Sequence, residues 1–587
     1  MSLLAGAISR TDKDLPPTVR LALAANLSRR PGESIETYGG GRWFLAKADV
    51  GAYRSKGSLA WAGASTFVMA GEPLLSGERY RSCGDRAAEA RLVYEALSSG
   101  RTDALEAATG TYCGALYRPE EHRLTLVSDK LGVRPIYYCV MPDFAVFATA
   151  LRILEAANLI GNGIDLRGTY ETSAFGFPFG ERTAYRDVRA IGPAQLVHLT
   201  KDGAAGSTYF HWDRLEVVDA PEDAVIARLV ASFEQGVRRR LRQDKAVLSF
   251  LSGGLDSRAI VAALRRQNVR VFTVNFAPQE TQDRVYGELA AKALGSSHYQ
   301  LDVAASRART ANREEHLRGW VDSLVNSGFG PERPGCIWSG DGGSVGLGHV
   351  YMDDATLALL AHGDLDGAAR SFLHFNRLPG AANSVMTAEF RARTRDWHVD
   401  AVRSELAALA HAPEGRPLYL FLLQNDQRRH LANHFENIDV HRFEFHLPFF
   451  DSEFLEIVAQ SPVRPFMGHR LYHRWLRALS PEAASVLWQA YPNHEPCPLP
   501  DPGALRYQWT KNYFGRTEER RLARAQGLEG LSFLMRGHFP RHLLSRPSFA
   551  AAVMFSLLGS NSYSHVTRVG TTFARAWHHA QQSGPRQ

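Results

Sequence analysis

Cysteine is scarce in this chain of 587 residues, with five positions that lie far apart. Their scatter excludes a zinc knuckle or a disulfide framework as the basis of the fold. A long apolar run is also missing, since the stretch 549–559 falls short of the roughly 20 residues that span a bilayer. The N-terminus lacks the basic and apolar segments of a signal peptide. We therefore expect a cytoplasmic protein without a membrane partner.

The chain has no large excess of charge of one sign, with 68 basic and 61 acidic residues. The basic cluster Arg238-Arg239-Arg240 falls on a helix-like stretch, where a solvated face explains it. The composition therefore gives no ground for a nucleic-acid partner. A Gly-x-x-x-x-Gly-Lys-Ser/Thr loop is absent as well, which removes support for a kinase-like P-loop.

One segment predicts a phosphate-binding loop. Residues 246–266 read as a buried strand, a turn with two glycines and a helix, in that order. The glycines let the backbone approach an anion, and the free N–H groups at the helix start point at it. Serine hydroxyls add donors, and an aspartate is a candidate ligand of the Mg²⁺ that accompanies ATP. The candidate residues are Ser252, Gly253, Gly254, Asp256 and Ser257.

The rest of the chain divides into three predicted parts. The first ~200 residues are rich in strand candidates separated by Gly/Pro turns. After a polar, small-residue stretch, strands alternate with helices, which predicts a parallel sheet with nucleotide at its carboxyl ends. Thr273 and Phe276, on the strand after the phosphate loop, are candidates for the adenine site. Beyond Asp353 the sequence is mostly helical. We expect domains at 1–205, 220–500 and 501–587.

Several motifs resemble those of glutamine-hydrolysing asparagine synthetases, over roughly residues 1–480. The segment 128–138, Ser-Asp-Lys-Leu-Gly-Val-Arg-Pro-Ile-Tyr-Tyr, resembles the family's Arg-Asp-x-Leu-Gly-Ile-Arg-Pro-Leu-Tyr-Tyr, and 147–149 resembles its Phe-Ala-Ser. Residues 176–193 resemble the segment that closes the N-terminal domain. Residues 444–451, Glu-Phe-His-Leu-Pro-Phe-Phe-Asp, resemble Glu-x-Arg-x-Pro-Phe-Leu-Asp. The phosphate loop resembles that of the ATP pyrophosphatases.

The resemblance implies a fold class and a reaction. An α+β N-terminal-nucleophile-like domain, a β-sandwich with helices, is expected ahead of an α/β ATP-pyrophosphatase domain with a parallel sheet and a helical C-terminal part. The family's first domain releases ammonia from glutamine, and its second adenylates a carboxylate that ammonia or an amine then attacks. The implied cofactors are ATP and Mg²⁺.

The glutaminase half departs from the family pattern. The family begins Met-Cys-Gly-Ile-Ala-Gly, whereas this chain has Ser2 in place of the cysteine. The family's oxyanion asparagine is Ala70, which cannot donate the hydrogen bond. Its Arg-Gly-Pro-Asp stretch corresponds at best to residues 30–33. Because nucleophile and oxyanion donor fail together, we predict a scaffold that no longer hydrolyses glutamine.

The synthetase half is altered too. Ser339 and Gly340 match the family's Leu-Ser-Gly-Glu-Gly-Ala-Asp-Glu, Asp341 replaces its glutamate, and its Mg²⁺-ligating aspartate becomes Ser344. Asp256 and Asp341 are therefore the predicted Mg²⁺ ligands. The family's lysine ahead of a Leu-Arg pair is missing. The predicted catalytic set is Asp341 with His473 or Arg474, either of which would supply the lysine's positive charge.

Two local patterns have competing interpretations. Residues 342–346 also fit Gly-x-Ser-x-Gly, the nucleophile elbow of α/β-hydrolases, although their register favours a turn beside phosphate. Asp283 either assists Mg²⁺ or caps the helix that follows it.

Three functional hypotheses remain open from the sequence. The first is an ATP-dependent ligase that joins free ammonia to a small-molecule or peptide carboxylate. The second is an intramolecular amide former, similar to the β-lactam synthetases and lasso peptide cyclases, in which the amine is part of the substrate. The third is a nucleotide-binding pseudoenzyme. A homodimer is a candidate assembly.

Overall fold

The computed structural model describes residues 2–55, 57–60, 65–80, 84–161, 163–302, 311–374, 378–501, 503–510, 513–536 and 539–582. Within these residues the strands are β1 Ser2–Ser9, β2 Ile35–Gly39, β3 Trp43–Asp49, β4 Ser58–Ala60, β5 Thr66–Gly71, β6 Tyr112–Arg118, β7 Arg123–Ser128, β8 Tyr137–Val140, β9 Phe144–Ala148, β10 Val188–Ala190, β11 Gln195–Thr200, β12 Gly203–Thr208, β13 Ala246–Phe250, β14 Arg270–Asn275, β15 Ser297–Gln300, β16 Cys336–Trp338 and β17 Glu444–His446.

The α-helices of the same residues fall into an early group, a group around the parallel sheet and a C-terminal group. The first two are α1 Pro17–Asn26, α2 Arg86–Ser98, α3 Asp103–Glu106, α4 Leu151–Ala156, α5 Leu166–Phe175, α6 Glu222–Leu241, α7 Leu255–Arg266, α8 Gln282–Ala293, α9 Ala311–Asn326, α10 Gly343–Gly346, α11 Asp354–Ala361, α12 Leu365–Leu373, α13 Leu378–Val385, α14 Ala388–Arg393, α15 Trp397–Ala408, α16 Arg416–Phe421, α17 Arg428–Glu436, α18 Ile438–His441, α19 Ser452–Ala459, α20 Arg470–Leu479 and α21 Pro481–Ala484. The third is α22 Arg516–Leu534, α23 Arg546–Leu557 and α24 Asn561–Gln582. A π-helix, Leu422–Gln427, joins α16 to α17.

The N-terminal half is built from two antiparallel sheets, ordered β10-β8-β9-β1-β3-β2 and β12-β11-β7-β6-β5-β4 among the described strands. Strand β1 shows why the sheets stack. Leu4 and Ile8 face the second sheet, while Leu3 and Ala7 face helices on the other side. Helices α2 and α3 cover the outer face of the second sheet. The predicted β-sandwich with helices is therefore confirmed.

The second half contains a parallel sheet ordered β15-β14-β13-β16-β17. Its central strand β13 is buried on both faces, which explains why its only polar residue is Ser249, whose hydroxyl is hydrogen-bonded to backbone carbonyls. Helices α6, α7 and α20 pack on one face, and α9 on the other. Because β13 and β16 are neighbours, the loops that follow them lie side by side at the carboxyl edge. The predicted parallel sheet and the helical C-terminal part are confirmed.

The C-terminal helices α22, α23 and α24 pack against one another, and α24 also contacts α5 of the first half. The predicted domain bounds at 205, 220 and 500 stay a prediction. The polar stretch placed at the first bound includes a strand, β12, which ends at Thr208.

Cys113, Cys139 and Cys336 are buried free thiols, whereas Cys83 lies outside the described residues. Within the part of the chain that the structure describes, no helix is both long and apolar enough to cross a bilayer.

Candidate nucleotide-binding site

The phosphate loop runs from the end of β13 to the start of α7. The hydroxyl of Ser257 accepts a hydrogen bond from the backbone N–H of Ser252 at 2.9 Å, and the two hydroxyl oxygens lie 3.0 Å apart. The N–H of Gly253 donates to Asp283 at 2.8 Å. Asp283, in the first turn of α8, therefore holds the loop in place. The cap of α8 is Thr281, whose hydroxyl accepts from the Arg284 N–H at 3.3 Å, so the capping alternative for Asp283 is wrong and its role toward Mg²⁺ stays a prediction.

The first glycine of the loop is required by packing. A Cβ atom on Gly253 would lie 2.7 Å from the carbonyl oxygen of Gln282 and 2.8 Å from the Cα of Asp283. Both contacts are with backbone, which cannot rotate away. A Cβ atom on Gly254 would meet only the Ser252 hydroxyl, at 3.5 Å. The loop therefore tolerates a side chain at its second glycine and not at its first.

Asp256, in the first turn of α7, is held by two neighbours from other elements. Its carboxylate accepts hydrogen bonds from the Tyr472 hydroxyl at 2.6 Å, the Ser344 hydroxyl at 2.8 Å and the Ser344 N–H at 3.1 Å. Loss of hydration raises the pKa of Asp256 to about 6, and the charge of Asp341 adds to this, while the hydrogen bonds from Tyr472 and Ser344 oppose it. The pKa of this carboxyl group therefore lies close to neutral pH.

The loop after β16 forms the facing wall. The Ser339 hydroxyl donates to Asp341 at 2.5 Å. Gly340 lies directly against the start of α7, since a Cβ there would be 2.5 Å from the N atom of Ser257. Gly342 has a φ of 92°, which lets the chain turn into the short helix α10. The Ser344 hydroxyl in α10 donates to Asp256, so the Gly-x-Ser-x-Gly pattern forms a turn beside the start of α7.

Both loops open into a cavity of about 550 Å³. Its lining combines phosphate-loop residues, the facing loop, an aromatic group and part of α17. These residues are Phe250, Leu251, Ser252, Asp256, Ser257, Val274, Asn275, Phe276, Ala277, Asp283, Ser339, Gly340, Asp341, Gly342, Ser344, Gln427, His430, Leu431 and Phe445. A smaller cavity of about 160 Å³ shares Ser252, Asp256, Asp283 and Ser344 with it. Its other wall is the segment after α21, where the Gln489 N–H donates to the Gly253 carbonyl at 2.9 Å.

Most of the sequence-predicted binding residues meet in this place. Seven of them line the larger cavity: Ser252, Asp256, Ser257, Phe276, Ser339, Gly340 and Asp341. Gly254 lines the smaller one. Gly253 lies behind the loop, against α8.

Thr273 does not reach the cavity, contrary to the prediction. Its side chain is fully buried, and its hydroxyl lies 2.9 Å from His298 Nδ1 and 3.1 Å from the Ser296 hydroxyl. Val274 of β14 and Phe276, the residue after its end, line the cavity from one face, and Asn275 reaches it from the last position of the strand. Thr273 lies on the other face, two residues before that end, and its hydroxyl lies near Ser296 and His298.

His473 and Arg474 also lie outside the cavity. The structure therefore does not place either of them where it could supply the positive charge of the family's lysine. Arg474 forms ion pairs with Glu222 and Asp223 at the start of α6. His473 faces Glu495 at 3.4 Å. The residue of α20 that reaches Asp256 is Tyr472. Successive helix positions differ by about 100° in direction, so the neighbours of Tyr472 in sequence point elsewhere.

Sequence reasoning missed several lining residues. Asn275 donates to the carbonyls of Leu251 and Asp283 at 2.9 and 3.0 Å and so fixes the loop against β14. Phe445 lies with its ring centroid 5.7 Å from that of Phe250. Asn275 could have been predicted from the sequence, because it is a polar residue at the carboxyl end of a strand in a parallel sheet, where ligands bind. Gln427 is the last residue of the π-helix, and His430 lies three residues beyond it. No sequence pattern predicted that π-helix.

Asp256 and Asp341 fit a Mg²⁺ site that phosphate oxygens complete. Both carboxylates line the same cavity. Among the described residues, no group of three or more His, Cys, Asp or Glu side chains could hold a metal ion. Magnesium commonly takes one or two protein carboxylates together with substrate phosphates and water, so two carboxylates suffice.

Buried polar side chains surround Ser2, which stands where the resemblance places the family's cysteine. Ser2 is 3% exposed, and its hydroxyl donates to Asp49 at 3.3 Å. Lys47, fully buried, lies 3.1 Å from the same carboxylate. Beside Ala70, the carbonyl of Gly71 accepts a hydrogen bond from the buried Arg86 at 2.7 Å. Met1 lies outside the described residues.

Two protein-family models match the chain. The model described as "Asparagine synthase" matches residues 228–321, which include the phosphate loop. The model described as "Glutamine amidotransferase domain" matches residues 74–210, within the two-sheet half. The glutamine amidotransferase match thus falls in the half with two antiparallel sheets, and the asparagine synthase match falls in the half with the parallel sheet.

Named relatives agree with the two models. The chain is 26% identical over 179 residues to asparagine synthetase [glutamine-hydrolyzing] 3 of Bacillus subtilis, which is 30% of this chain and 29% of that protein. It is 24% identical over 261 residues to carboxyethyl-arginine beta-lactam-synthase of Streptomyces clavuligerus, which is 41% of this chain and 47% of that protein. The matches thus span less than two thirds of either relative. The predicted resemblance to the asparagine synthetases is confirmed at low identity.

Among solved structures, the chain is similar to the glutamine phosphoribosylpyrophosphate amidotransferase of B. subtilis, complexed with ADP and GMP. The superposition covers 51% of this chain and 80% of that one, with a TM-score of 0.26 and 11% identity.

Proposed function

We propose that this protein forms an amide bond at the expense of ATP, through an acyl-adenylate, with release of AMP and pyrophosphate. The observation that supports this most directly is the cavity of about 550 Å³ into which the phosphate loop, Asp256, Asp341 and an aromatic wall all open. The acyl group would come from a small-molecule or peptide carboxylate. The amine would be free ammonia or part of the substrate.

The proposed reaction has two balanced steps. A carboxylate oxygen attacks the α-phosphorus of ATP, and the bond to pyrophosphate breaks. The amine nitrogen then attacks the acyl carbon, loses a proton and displaces AMP. Ser252 and Ser257 would donate hydrogen bonds to the departing pyrophosphate, and Phe250, Phe276 and Phe445 would pack on the base.

Asp256 and Asp341 would hold Mg²⁺, which neutralises charge on the phosphates. In the protein alone, Asp256 is positioned by Tyr472 and Ser344. The smaller cavity beyond the loop leaves space for a leaving group on the side away from the base.

We propose further that the enzyme does not draw ammonia from its own N-terminal domain. The Ser2 hydroxyl is buried and faces Asp49, and a hydroxyl in that position provides no N-terminal thiol to attack an amide. Ala70 offers a methyl group where the oxyanion would need a donor. The domain then acts as a scaffold whose contacts support β17 of the parallel sheet.

A second candidate is intramolecular amide formation, in which carboxylate and amine belong to one substrate. The absent glutaminase chemistry favours it, since such a reaction requires no ammonia. The match to a beta-lactam-synthase extends over 261 residues, against 179 for the Bacillus asparagine synthetase above.

The test is release of AMP and pyrophosphate from Mg-ATP by the purified chain. Aspartate would be supplied with ammonium or with glutamine, and amino-carboxylate and peptide substrates would follow. Asp256→Ala is the inactive variant, and Asp12→Ala, at a fully exposed carboxylate, is its matched control. We expect product with ammonium or with a substrate that carries its own amine, and none that depends on glutamine.

Equal turnover with glutamine would contradict the loss of the glutaminase. ATP binding without AMP release from any carboxylate would contradict the ligase and leave the pseudoenzyme. ADP in place of AMP would contradict the acyl-adenylate.

A further inference from the structure

A second cavity, of about 680 Å³, lies on the face of α20 opposite the phosphate loop. Four cationic or ionisable residues of α20 line it at helical spacing: Arg470, His473, Arg474 and Arg477. The opposite face of α20, with Leu471, Tyr472 and Trp475, is buried against the synthetase-like domain. The helix therefore separates two cavities, one holding Asp256 and one lined by arginine.

The two carboxylates that line this second cavity each lie beside a basic side chain. Glu222 pairs with Arg474, and Glu495 lies 3.4 Å from His473. Arg464, at the rim, pairs with Asp354 at 2.9 Å.

Two cations of the cavity have no such compensation. Arg470 donates only to the backbone carbonyls of Met467 and Arg464, at 3.3 and 2.8 Å. Arg477 forms no ion pair or hydrogen bond within the described residues. Four arginines and two glutamates line the cavity, and Arg470 and Arg477 are the two of these arginines that have no carboxylate partner among the described residues.

One residue that lines this cavity carries a buried donor without an acceptor. Trp488 is 4% exposed and lines the cavity, and its Nε1–H finds no acceptor in the part of the chain that the structure describes. An indole N–H can only donate, and a buried donor left unpaired is unfavourable. An oxyanion in the cavity would satisfy it.

We propose that this cavity, the α20 basic pocket, binds a small ligand with two carboxylate or phosphate groups. Arg470 and Arg477 are two helical turns apart, about 10 Å along the axis at 1.5 Å per residue. This separation suits two anionic groups on one compact molecule better than a single ion. Guanidinium groups pair with either kind of oxyanion in a bidentate way. The proposal is independent of the reaction in the larger cavity.

Calorimetric titration of the full chain tests the proposal. The probes are adipate, which carries two carboxylates, and fructose 1,6-bisphosphate, which carries two phosphates. We expect at least one to bind with one-to-one stoichiometry, and the preferred probe identifies the ligand's chemistry. In the double variant Arg470→Gln/Arg477→Gln the affinity should fall about tenfold or more, since charged hydrogen bonds are lost. Trp488→Phe, which removes the N–H donor together with part of the ring and leaves the arginines in place, should weaken binding by a smaller factor.

The matched control is Arg521→Gln/Arg524→Gln, which removes two exposed arginines from α22. It should bind the probe as the native chain does. Asp256→Ala should also bind normally, which separates this pocket from failure of the ligase. Absence of binding by both probes, or equal losses in the α20 and α22 variants, would overturn the proposal.

Discussion

The carboxylate of Asp256 is held by two neutral donors, Tyr472 and Ser344, where the family resemblance predicts a metal ligand. Neutral donors lower its pKa less than a cation would, so loss of hydration prevails and the pKa is raised. The same neighbours fix its orientation toward the cavity. The substitution of serine for the family's aspartate therefore removes a negative charge and adds a positioning hydrogen bond.

Mg-ATP binding is expected to depend on the protonation of Asp256. Its pKa rises from 3.8 to about 6, so the carboxyl is protonated below about pH 6 and cannot ligate a metal. Affinity for Mg-ATP should therefore increase as the pH rises through about 6. Calorimetry between pH 5 and pH 8 measures this.

Asp256→Asn supplies the control, because ATP itself titrates in the same range. The variant should retain only the ligand's own pH dependence. Parallel profiles for the native chain and the variant would contradict the assignment of Asp256.

Removal of the Tyr472 hydroxyl should shift that profile. Its hydrogen bond lowers the pKa of Asp256, so Tyr472→Phe should move the midpoint to higher pH and weaken binding at pH 6 more than at pH 8. Tyr38→Phe, which removes a hydroxyl bonded to Glu36 in the first domain, is the matched control. An unchanged midpoint in Tyr472→Phe would show that the hydroxyl only fills space.

The phosphate loop and the facing loop depend on each other because β13 and β16 are adjacent strands. Gly340 lies against the first turn of α7, and a Cβ atom on Gly343 would lie 2.6 Å from the Cγ of Asp256. Small residues are thus needed where two loops meet at one sheet edge.

The two glycines of the phosphate loop should respond differently to alanine. Gly253→Ala places a methyl group against the backbone of α8 and should displace the loop, with a loss of Mg-ATP affinity of about tenfold or more, corresponding to ~1.4 kcal/mol. Gly254→Ala meets one hydroxyl at 3.5 Å and should bind within about threefold of the native chain. Both affinities are measured by titration with Mg-ATP. Equal effects at the two positions would contradict the packing described for the loop.

The strand–loop–helix at β13 and α7 was predictable because local signals agree there: an apolar strand, a glycine turn and an amphipathic helix. The face that α20 turns toward Asp256 could not be predicted from the sequence. Tyr472, His473 and Arg474 are consecutive, and only the packing of Leu471 and Trp475 decides which of them faces Asp256. The prediction that Thr273 lies near the adenine failed for a similar reason, since neighbouring residues of a strand point to opposite faces of the sheet.

At the scale of the whole molecule, β17 connects the cavity with the N-terminal domain. Phe445 lines the cavity, while the neighbouring Glu444 and His446 turn to the other side. Glu444 is fully buried and pairs with Arg134 of the segment after β7. His446 lies 3.8 Å from Glu72. The two halves therefore share buried charges directly beneath the proposed nucleotide site.

Breaking the Arg134–Glu444 pair should destabilise both halves together. Arg134→Met leaves the Glu444 carboxylate buried without its partner, and such a loss typically costs about 3–5 kcal/mol of the free energy of unfolding. Urea denaturation followed by tryptophan fluorescence measures unfolding of the chain, and loss of Mg-ATP binding follows the parallel-sheet half. Hydrogen exchange of β1 and β6 follows the N-terminal half.

The exposed pair Arg189–Glu181, at 3.5 Å, provides the comparison, and Arg189→Met should change the free energy of unfolding by less than about 1 kcal/mol. In the double variant Arg134→Met/Glu444→Leu, much of the stability should return, because neither charge is then buried alone. If the double variant were as unstable as Arg134→Met, the loss would come from packing against Phe435, whose ring lies 4.2 Å from the guanidinium, and not from charge. If only the N-terminal half unfolded early while ATP binding persisted, the buried pair would not couple the two domains.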